Sequence, residues 1–171
     1  MNIFVVQTDP VQAAKDLCDR HVVKMILESA QMLCSAFPLG VGPYKHAHKN
    51  HPCTIWSRTT VANYEWLLTH GQAMCIEYQE RYNKVHKTAE VLNWLDKNKP
   101  RALPFEGLTP FPQAMPEQYK GSDAVEAYRK YYIFDKTRFA YWKDPNTIPE
   151  WFVKGCTINN ISFRNKINEL A

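Results

Sequence analysis

The stretch that decides the fold is CDRHVVKMILESAQMLCSAF, from Cys18 to Phe37. A helix turns by about 100° per residue, and this turn brings four polar side chains into one narrow strip: His21, Lys24, Glu28 and Gln31. Apolar side chains cover most of the remaining circumference. Since a helix that is apolar most of the way round is normally buried, the stretch predicts a core helix with a single polar strip.

This polar strip has two interpretations. Ionisable groups that solvent alone does not satisfy need partners or a cavity, and such groups in a cleft are candidates for catalysis. A carboxylate in apolar surroundings beside a cation is suited to proton transfer, which makes Glu28 the candidate acid or base. The alternative is a purely structural network, because His21, Lys24 and Glu28 stand at the spacings of helical neighbours.

Composition predicts a folded, globular protein. The chain has 171 residues, of which 45% are hydrophobic and 13% aromatic, and this length suits a single domain over residues 1–171. The formal net charge of +4 permits a phosphate-bearing partner without requiring one. No window is apolar over the length of a membrane span, and the N-terminus lacks the pattern of a secretory signal. We therefore expect a cytoplasmic protein with no membrane partner.

Helical periodicity and proline positions predict the order of the elements. Residues 1–9 should form a strand or an extended N-terminal arm. The helical patterns then cover residues 10–37 with a break near 16–20, residues 55–83, and residues 88–99. Five prolines between residues 100 and 121 predict a long irregular crossing loop. Asp123 and Glu126 resemble a capping pair for a helix to about Lys143, followed by a polar tail that Ile158, Ile161, Phe163 and Ile167 should pack down.

The fold class predicted is therefore a compact helical domain with a short extended N-terminus and long proline-rich loops. The five cysteines are odd in number and have no CxxC spacing, so we expect them to be reduced and structural.

A histidine-rich segment, YKHAHKNHPC at residues 44–53, is the second candidate for function. Imidazoles close to a thiol suggest zinc, but their spacing matches no standard site, and we predict no metal and no cofactor. A basic loop of this kind fits phosphate contact or substrate positioning better. The candidate substrate-binding residues here are Lys45, His48, Asn50 and His51, and a plain surface loop is the alternative.

Three further polar residues are candidates for substrate binding. Arg58 and Asn63 stand among aromatic residues at positions where a helix should face the first one, and such a set can stack on a base and bind its edge. Gln113 lies in the loop LTPFPQAMP at residues 108–116, whose prolines would hold its amide rigidly. The alternative for this loop is a clamp over the core.

The pattern Asp19-x-His21-x(6)-Glu28 resembles the pyrimidine-dimer DNA glycosylase family, whose type is the phage endonuclease V. The aromatic-rich helix that follows and a C-terminal pair of helices rich in Trp and Tyr are similar to it as well. The resemblance covers about the first half of the chain. It implies that Glu28 is the catalytic carboxylate and that His21 contacts a substrate phosphate or positions the helix. Lys24, Gln31, Arg58 and residues 46–51 would then face DNA.

One departure from the family concerns the nucleophile. The family attacks C1′ of the sugar with the α-amine of an N-terminal threonine that removal of methionine exposes. This chain begins Met1-Asn2, and a residue as large as asparagine normally leaves the methionine in place. Either the amine of Met1 serves, or Lys24 supplies an amine, or the enzyme only hydrolyses.

The sequence thus favours a DNA glycosylase-like enzyme that cleaves the N-glycosidic bond of a damaged or modified pyrimidine, in the host cytoplasm if the gene is a phage gene. Its substrate would be DNA or a nucleotide. The alternatives are a non-catalytic module that binds nucleic acid or protein, and an enzyme that acts on free, modified nucleotides.

Overall fold

A computed structural model describes residues 1–165 of the chain. Within these residues the regular structure is helical, which confirms the mostly α prediction. The α-helices are α1 (Pro10–Asp16), α2 (Asp19–Cys34), α3 (Pro52–Ser57), α4 (Val61–Tyr82), α5 (Ala89–Lys97), α6 (Ala124–Asp135) and α7 (Glu150–Ile158). Short 3₁₀ turns lie at Glu117–Tyr119, Lys136–Arg138 and Pro145–Thr147. None of the helices in the described part of the chain is long and apolar enough to cross a membrane.

Local sequence signals explain where several helices begin. Asp9 accepts a hydrogen bond from the backbone N–H of Gln12 and precedes a proline at the first helical position of α1, the usual arrangement of an N-cap. The hydroxyl of Thr60 caps α4. Asp123 caps α6 by accepting from the N–H of Glu126 over 2.9 Å, which confirms Asp123 as the start of that helix.

The break between α1 and α2 is also confirmed, and Arg81 of α4 stabilises it. Leu17 and Cys18 have extended backbone, which turns the chain between the two helices. The Arg81 guanidinium donates to the carbonyls of Lys15 and Leu17 and to Asp19. Carbonyls that the end of α1 leaves without helical partners are satisfied in this way.

The helix α2 packs against α4, α3 and α5 at the centre of the core. Gly71 of α4 allows this close approach, because a Cβ at that position would lie 3.2 Å from the methyl groups of Leu92 and 3.5 Å from Cβ of Ser29. The prediction that α2 is buried nearly all round needs a correction. Arg20, Val23, Lys24 and Leu27 form an exposed stripe, since no helix among residues 1–165 covers the N-terminal half of that face.

Residues 2–6 are non-helical, as predicted, but they are buried in the core and do not form a free arm. Ile3, Val5 and Val6 are almost completely inaccessible to solvent. Phe4 has a φ of 41°, a left-handed conformation that is uncommon for a residue with a side chain. The chain therefore bends sharply where it passes α2.

The C-terminal third differs most from the prediction. α6 ends at Asp135 and not near Lys143, and α7 lies where the sequence pattern had indicated no helix, although the family resemblance implied a C-terminal pair. Likewise, residues 55–83 contain a break at Arg58–Thr60 between α3 and α4. Ile158 is 79% exposed and does not pack the tail down, whereas Phe163 is buried. Ile167 lies outside the described residues.

Candidate active site

The centre of the candidate site is the carboxylate of Glu28. Its Oε2 accepts a hydrogen bond from the backbone N–H of Asn2 over 3.1 Å, and the α-amine of Met1 lies 3.6 Å from the same oxygen. Its Oε1 lies 3.4 Å from Nζ of Lys24. The Glu28 side chain is 12% exposed, so the carboxylate is largely buried but reachable. A catalytic role requires an open space beside this carboxylate.

A cleft of about 280 Å³ supplies that space, just below the ~300–1,000 Å³ typical of ligand pockets. It is lined by Met1, Asn2, Phe4, Arg20, His21, Lys24, Met25, Glu28, Lys136, Arg138 and Phe139. Four of the lining side chains are cationic and one is a carboxylate. Because low-dielectric walls focus the field of such charges, the cleft attracts an anionic ligand.

His21 lies in this cleft on the same face of α2 as Glu28. Its ring stacks on Phe4 with centroids 4.1 Å apart, and its Nδ1 lies 2.5 Å from the hydroxyl of Tyr132. Burial lowers the pKa of His21 to about 3, and the positive charges of Lys136 and Lys24 add to this effect. The imidazole is therefore neutral near pH 7, so it acts as a hydrogen-bonding group there.

Lys24 takes a different position from the one that the sequence suggested. Its side chain is 65% exposed, because it lies on the uncovered stripe of α2. Lys24 is thus an accessible cation at the rim of the cleft and not an amine in an apolar pocket. Gln31, the fourth member of the strip, is half-buried.

Lys136, Arg138 and Phe139 form the wall of the cleft opposite α2. The sequence pattern did not indicate these residues. Lys136 is buried, and its Nζ donates to the hydroxyl of Tyr131 and to Asp135 over 2.9 and 2.8 Å. Arg138 is 68% exposed. Two basic residues followed by an aromatic one in Lys136-Thr-Arg-Phe139 are a signal that could have identified this wall, had the end of α6 been recognised.

Arg20 was also missed as a candidate. It precedes His21 in the first turn of α2, and its guanidinium lies 4.7 Å from the ring centroid of Phe139. This cation–π contact holds the charge beside the cleft.

The histidine-rich loop lies close enough to the site for the charges there to affect the pKa of one of its histidines. Burial lowers the pKa of His51, the N-terminal amine and His48 lower it further, and Glu28 opposes them. The ring of His51 nevertheless has a structural contact, since Nδ1 accepts from the N–H of Cys53 at the start of α3. His46 bonds the carbonyl of Phe37. Lys45, His48 and Asn50 are exposed.

Three other predicted substrate-binding residues instead form hydrogen bonds that hold loops in place. The side-chain amide of Gln113 donates to the carbonyl of Gly121 and accepts from the backbone N–H of the same residue. Asn63 is fully buried, and its amide binds Thr109 and the carbonyl of Trp56. Arg58 donates to Ser35 and to the carbonyl of Lys49. The structure does not bring these three side chains into the Glu28 cleft.

Larger clefts lie elsewhere in the described part of the chain, of about 710, 640 and 510 Å³, and the first two include Trp151 and Arg129. None of these three contains Glu28 or His21. Among the described residues, no group of histidine, cysteine, aspartate and glutamate side chains could hold a metal ion. The combination of a reachable carboxylate, a neutral imidazole, an amine and cations occurs in the smaller cleft, which is therefore the candidate active site.

Comparison with known proteins adds one finding. The family model described as pyrimidine dimer DNA glycosylase matches residues 1–90, a span that contains Glu28, His21 and the N-terminus. No curated protein and no solved structure matches the chain significantly.

Proposed function

Because the matched region covers more than half of the chain, the protein belongs to the pyrimidine dimer DNA glycosylase family, and from this we propose that it releases a damaged or modified pyrimidine from DNA with Glu28 as the catalytic carboxylate. The observation that carries this proposal is the contact of Glu28 Oε2 with the N-terminal backbone, 3.1 Å from Asn2 N and 3.6 Å from the amine of Met1. An acid–base group and a nucleophile are thereby adjacent in one anion-attracting cleft.

The reaction requires that the site stabilise positive charge on the sugar and accept a proton from the attacking amine. Cleavage of the N-glycosidic bond leaves positive charge on C1′ of the deoxyribose, and a fixed carboxylate stabilises such charge. An amine that attacks C1′ forms a new C–N bond while the base departs with the electron pair of the glycosidic bond. The proton that the amine then loses can pass to a carboxylate within hydrogen-bonding reach. Glu28 is positioned for both tasks.

The distances favour the N-terminus as the source of the amine. The nitrogen of Met1 lies beside Oε2 of Glu28, and the nitrogen of Asn2 is closer still. If Met1 is removed in the cell, the amine passes to Asn2 without any movement of the backbone. Lys24 is less suited, because its ammonium is mostly in solvent and nothing desolvates it for attack.

DNA binding is assigned to the cations of the cleft. Arg20, Lys24, Lys136 and Arg138 line it, and phosphate contacts by such residues supply most of the affinity of proteins for DNA. The reacting sugar must reach Glu28, so the damaged nucleotide has to leave the base stack, as it does in enzymes that act on single bases.

The test uses a duplex with one cyclobutane pyrimidine dimer. We expect E28Q to bind this duplex as the wild type does but to release base at least about 100-fold more slowly, the effect of one acid–base group. The matched control is E65Q, which removes an exposed carboxylate of α4 that pairs with Lys99. Undiminished activity of E28Q would overturn the assignment.

Borohydride reduction tests the amine. A covalent adduct that maps to the first residue of the mature protein supports the N-terminal nucleophile, an adduct at Lys24 contradicts it, and base release without an adduct indicates hydrolysis by water.

A further inference from the structure

The hydroxyl of Tyr132 and the ring of His21 form a buried pair that joins α6 to α2. Tyr132 is completely buried and His21 is 5% exposed, and the hydroxyl oxygen lies 2.5 Å from Nδ1. The two rings meet edge to face at 74°, while Phe4 stacks on the imidazole at 22°. The orientation of the imidazole is therefore fixed.

The surroundings decide which way the hydrogen bond runs. Burial raises the pKa of Tyr132 far above its usual value and lowers that of His21 to about 3, so both groups are neutral near pH 7. The tyrosine oxygen accepts from the backbone N–H of Cys18 over 3.4 Å. Its own proton can go to Nδ1 at 2.5 Å or to the sulfur of Cys18 at 3.6 Å.

Sulfur is a weak acceptor, and a neutral imidazole has one accepting and one donating nitrogen. The hydroxyl of Tyr132 therefore donates to Nδ1, and the ring carries its proton on Nε2. Among the described residues, no side chain or backbone group bonds this Nε2. It remains the donor that His21 offers in the cleft.

We propose that Tyr132 is a positioning residue, which holds His21 in the tautomer whose Nε2–H donates to a phosphate oxygen of the DNA strand in the cleft. The identity of the ligand rests on the proposed function, whereas the tautomer does not. The cations around the cleft attract the phosphate, and a neutral donor of fixed direction sets its position relative to Glu28. Since the donor is uncharged, it adds orientation with little non-directional attraction.

The tautomer is measured by ¹⁵N spectroscopy of the histidine rings at pH 7. In the wild type we expect a proton on Nε2 of His21 and an unprotonated, hydrogen-bonded Nδ1. In Y132F the ring is retained, but the preference is lost and the two nitrogens move toward averaged shifts. The matched control is Y64F, which removes another buried hydroxyl, one that donates to the carbonyl of Leu95. A proton on Nδ1 in the wild type, or unchanged shifts in Y132F, would overturn the inference.

The second measurement is binding of undamaged duplex DNA. We expect its addition to shift the Nε2 resonance, and Y132F to bind roughly tenfold more weakly, the effect of losing one hydrogen bond to a charged group. In an H21Q background, which keeps an N–H near that position, Y132F should have no further effect. Equal losses in Y132F and Y64F would show a general stability effect and refute a positioning role.

These outcomes are separate from the fate of the proposed function. A wild type with the expected tautomer and DNA-induced shift but without base release would refute the glycosylase and leave the role of Tyr132 intact. A wild type that releases base but carries its proton on Nδ1 would do the opposite.

Discussion

Asn2 donates its backbone N–H to Glu28 over 3.1 Å and so ties the start of the chain to the middle of α2. The side chain of Asn2 is held as firmly. Its Oδ1 accepts from the N–H groups of Ile3 and Phe4, and its Nδ2 donates to the carbonyl of Ala114 over 2.8 Å. The amine beside Glu28 is therefore placed by the fold and not by a loose terminal tail.

The first prediction concerns this terminus. Extending the chain by Gly-Ser before Met1 removes the amine from Glu28 and replaces it with an amide. We expect borohydride trapping to disappear and base release to fall on the order of 100-fold or more, the usual size of a lost catalytic group. A single-turnover assay on the dimer-containing duplex measures this. Cleavage of the extension by a protease should restore both signals, and trapping that persists in the extended protein would exclude the N-terminal amine.

The second prediction concerns salt. Arg138 is an exposed cation of the cleft wall, so R138Q should lower the slope of log K against log salt by about one. Affinity for damaged and undamaged duplex should fall in parallel, measured by fluorescence anisotropy between low and moderate salt. K154Q is the matched control, since Lys154 is equally exposed and, as Arg138 does with Asp135, pairs with a carboxylate on its own segment, Glu150, but lies away from this cleft. The same change of slope in both variants would contradict the assignment of the wall.

The third prediction concerns stability. The Arg81 side chain is 10% exposed and pairs with Asp19 and Glu77 while it bonds two carbonyls near the end of α1. R81M leaves both carboxylates buried and unpaired, which should lower the free energy of unfolding by about 3–5 kcal/mol. K99M, which breaks a half-exposed pair with Glu65, should cost about 0–1 kcal/mol. Urea denaturation compares them, and similar costs would show that the Arg81 network does not hold α1 against α2.

The fourth prediction concerns pH. His70 is fully buried and its Nδ1 bonds the carbonyl of Pro10, and burial lowers its pKa to about 4. In the unfolded chain the pKa of His70 is about 6.5. Between about pH 6.5 and 4 the unfolded state therefore binds a proton on His70 that the native state does not bind. Native stability is then lost as the pH falls from 6.5 to 4, by about 3 kcal/mol from this residue.

The variant H70N tests the assignment, because its amide can still donate to Pro10 but does not titrate. Unfolding of H70N followed at pH 7, 5.5 and 4 should show a flatter pH dependence than the wild type, although the smaller side chain lowers stability throughout. Parallel curves for the two proteins would show that the acid sensitivity comes from other groups.

Part of the candidate site was predictable because one helix carries two of its central side chains. Helical spacing alone put His21 and Glu28 on one face of α2, and the structure finds both in the same cleft. The same spacing could not distinguish Lys24 from them, since a helical wheel gives the direction of a side chain but not where the covering helices stop. Lys24 lies on the part of α2 that the neighbouring helices leave uncovered.

The parts of the fold and of the candidate site that the sequence did not predict depend on contacts between residues far apart in the chain. Nothing in the sequence marks Asp135 as the end of α6, where no proline or glycine follows; the chain leaves the helix so that Ala140 and Trp142 can be buried. That turn carries Lys136 and Arg138 into the cleft. Asn63 was misleading for a related reason, because an amide that holds a loop and one that reads a base look alike until their partners are known.

The match to the family model ends at residue 90, yet one wall of the cleft, Lys136 to Phe139, comes from beyond it. The proposed reactive pair lies in one stretch of the polypeptide, whereas two of the four cations proposed to bind DNA, Lys136 and Arg138, lie in another. Substitutions in the second stretch can therefore change how a substrate is held without altering Glu28 or the N-terminal amine.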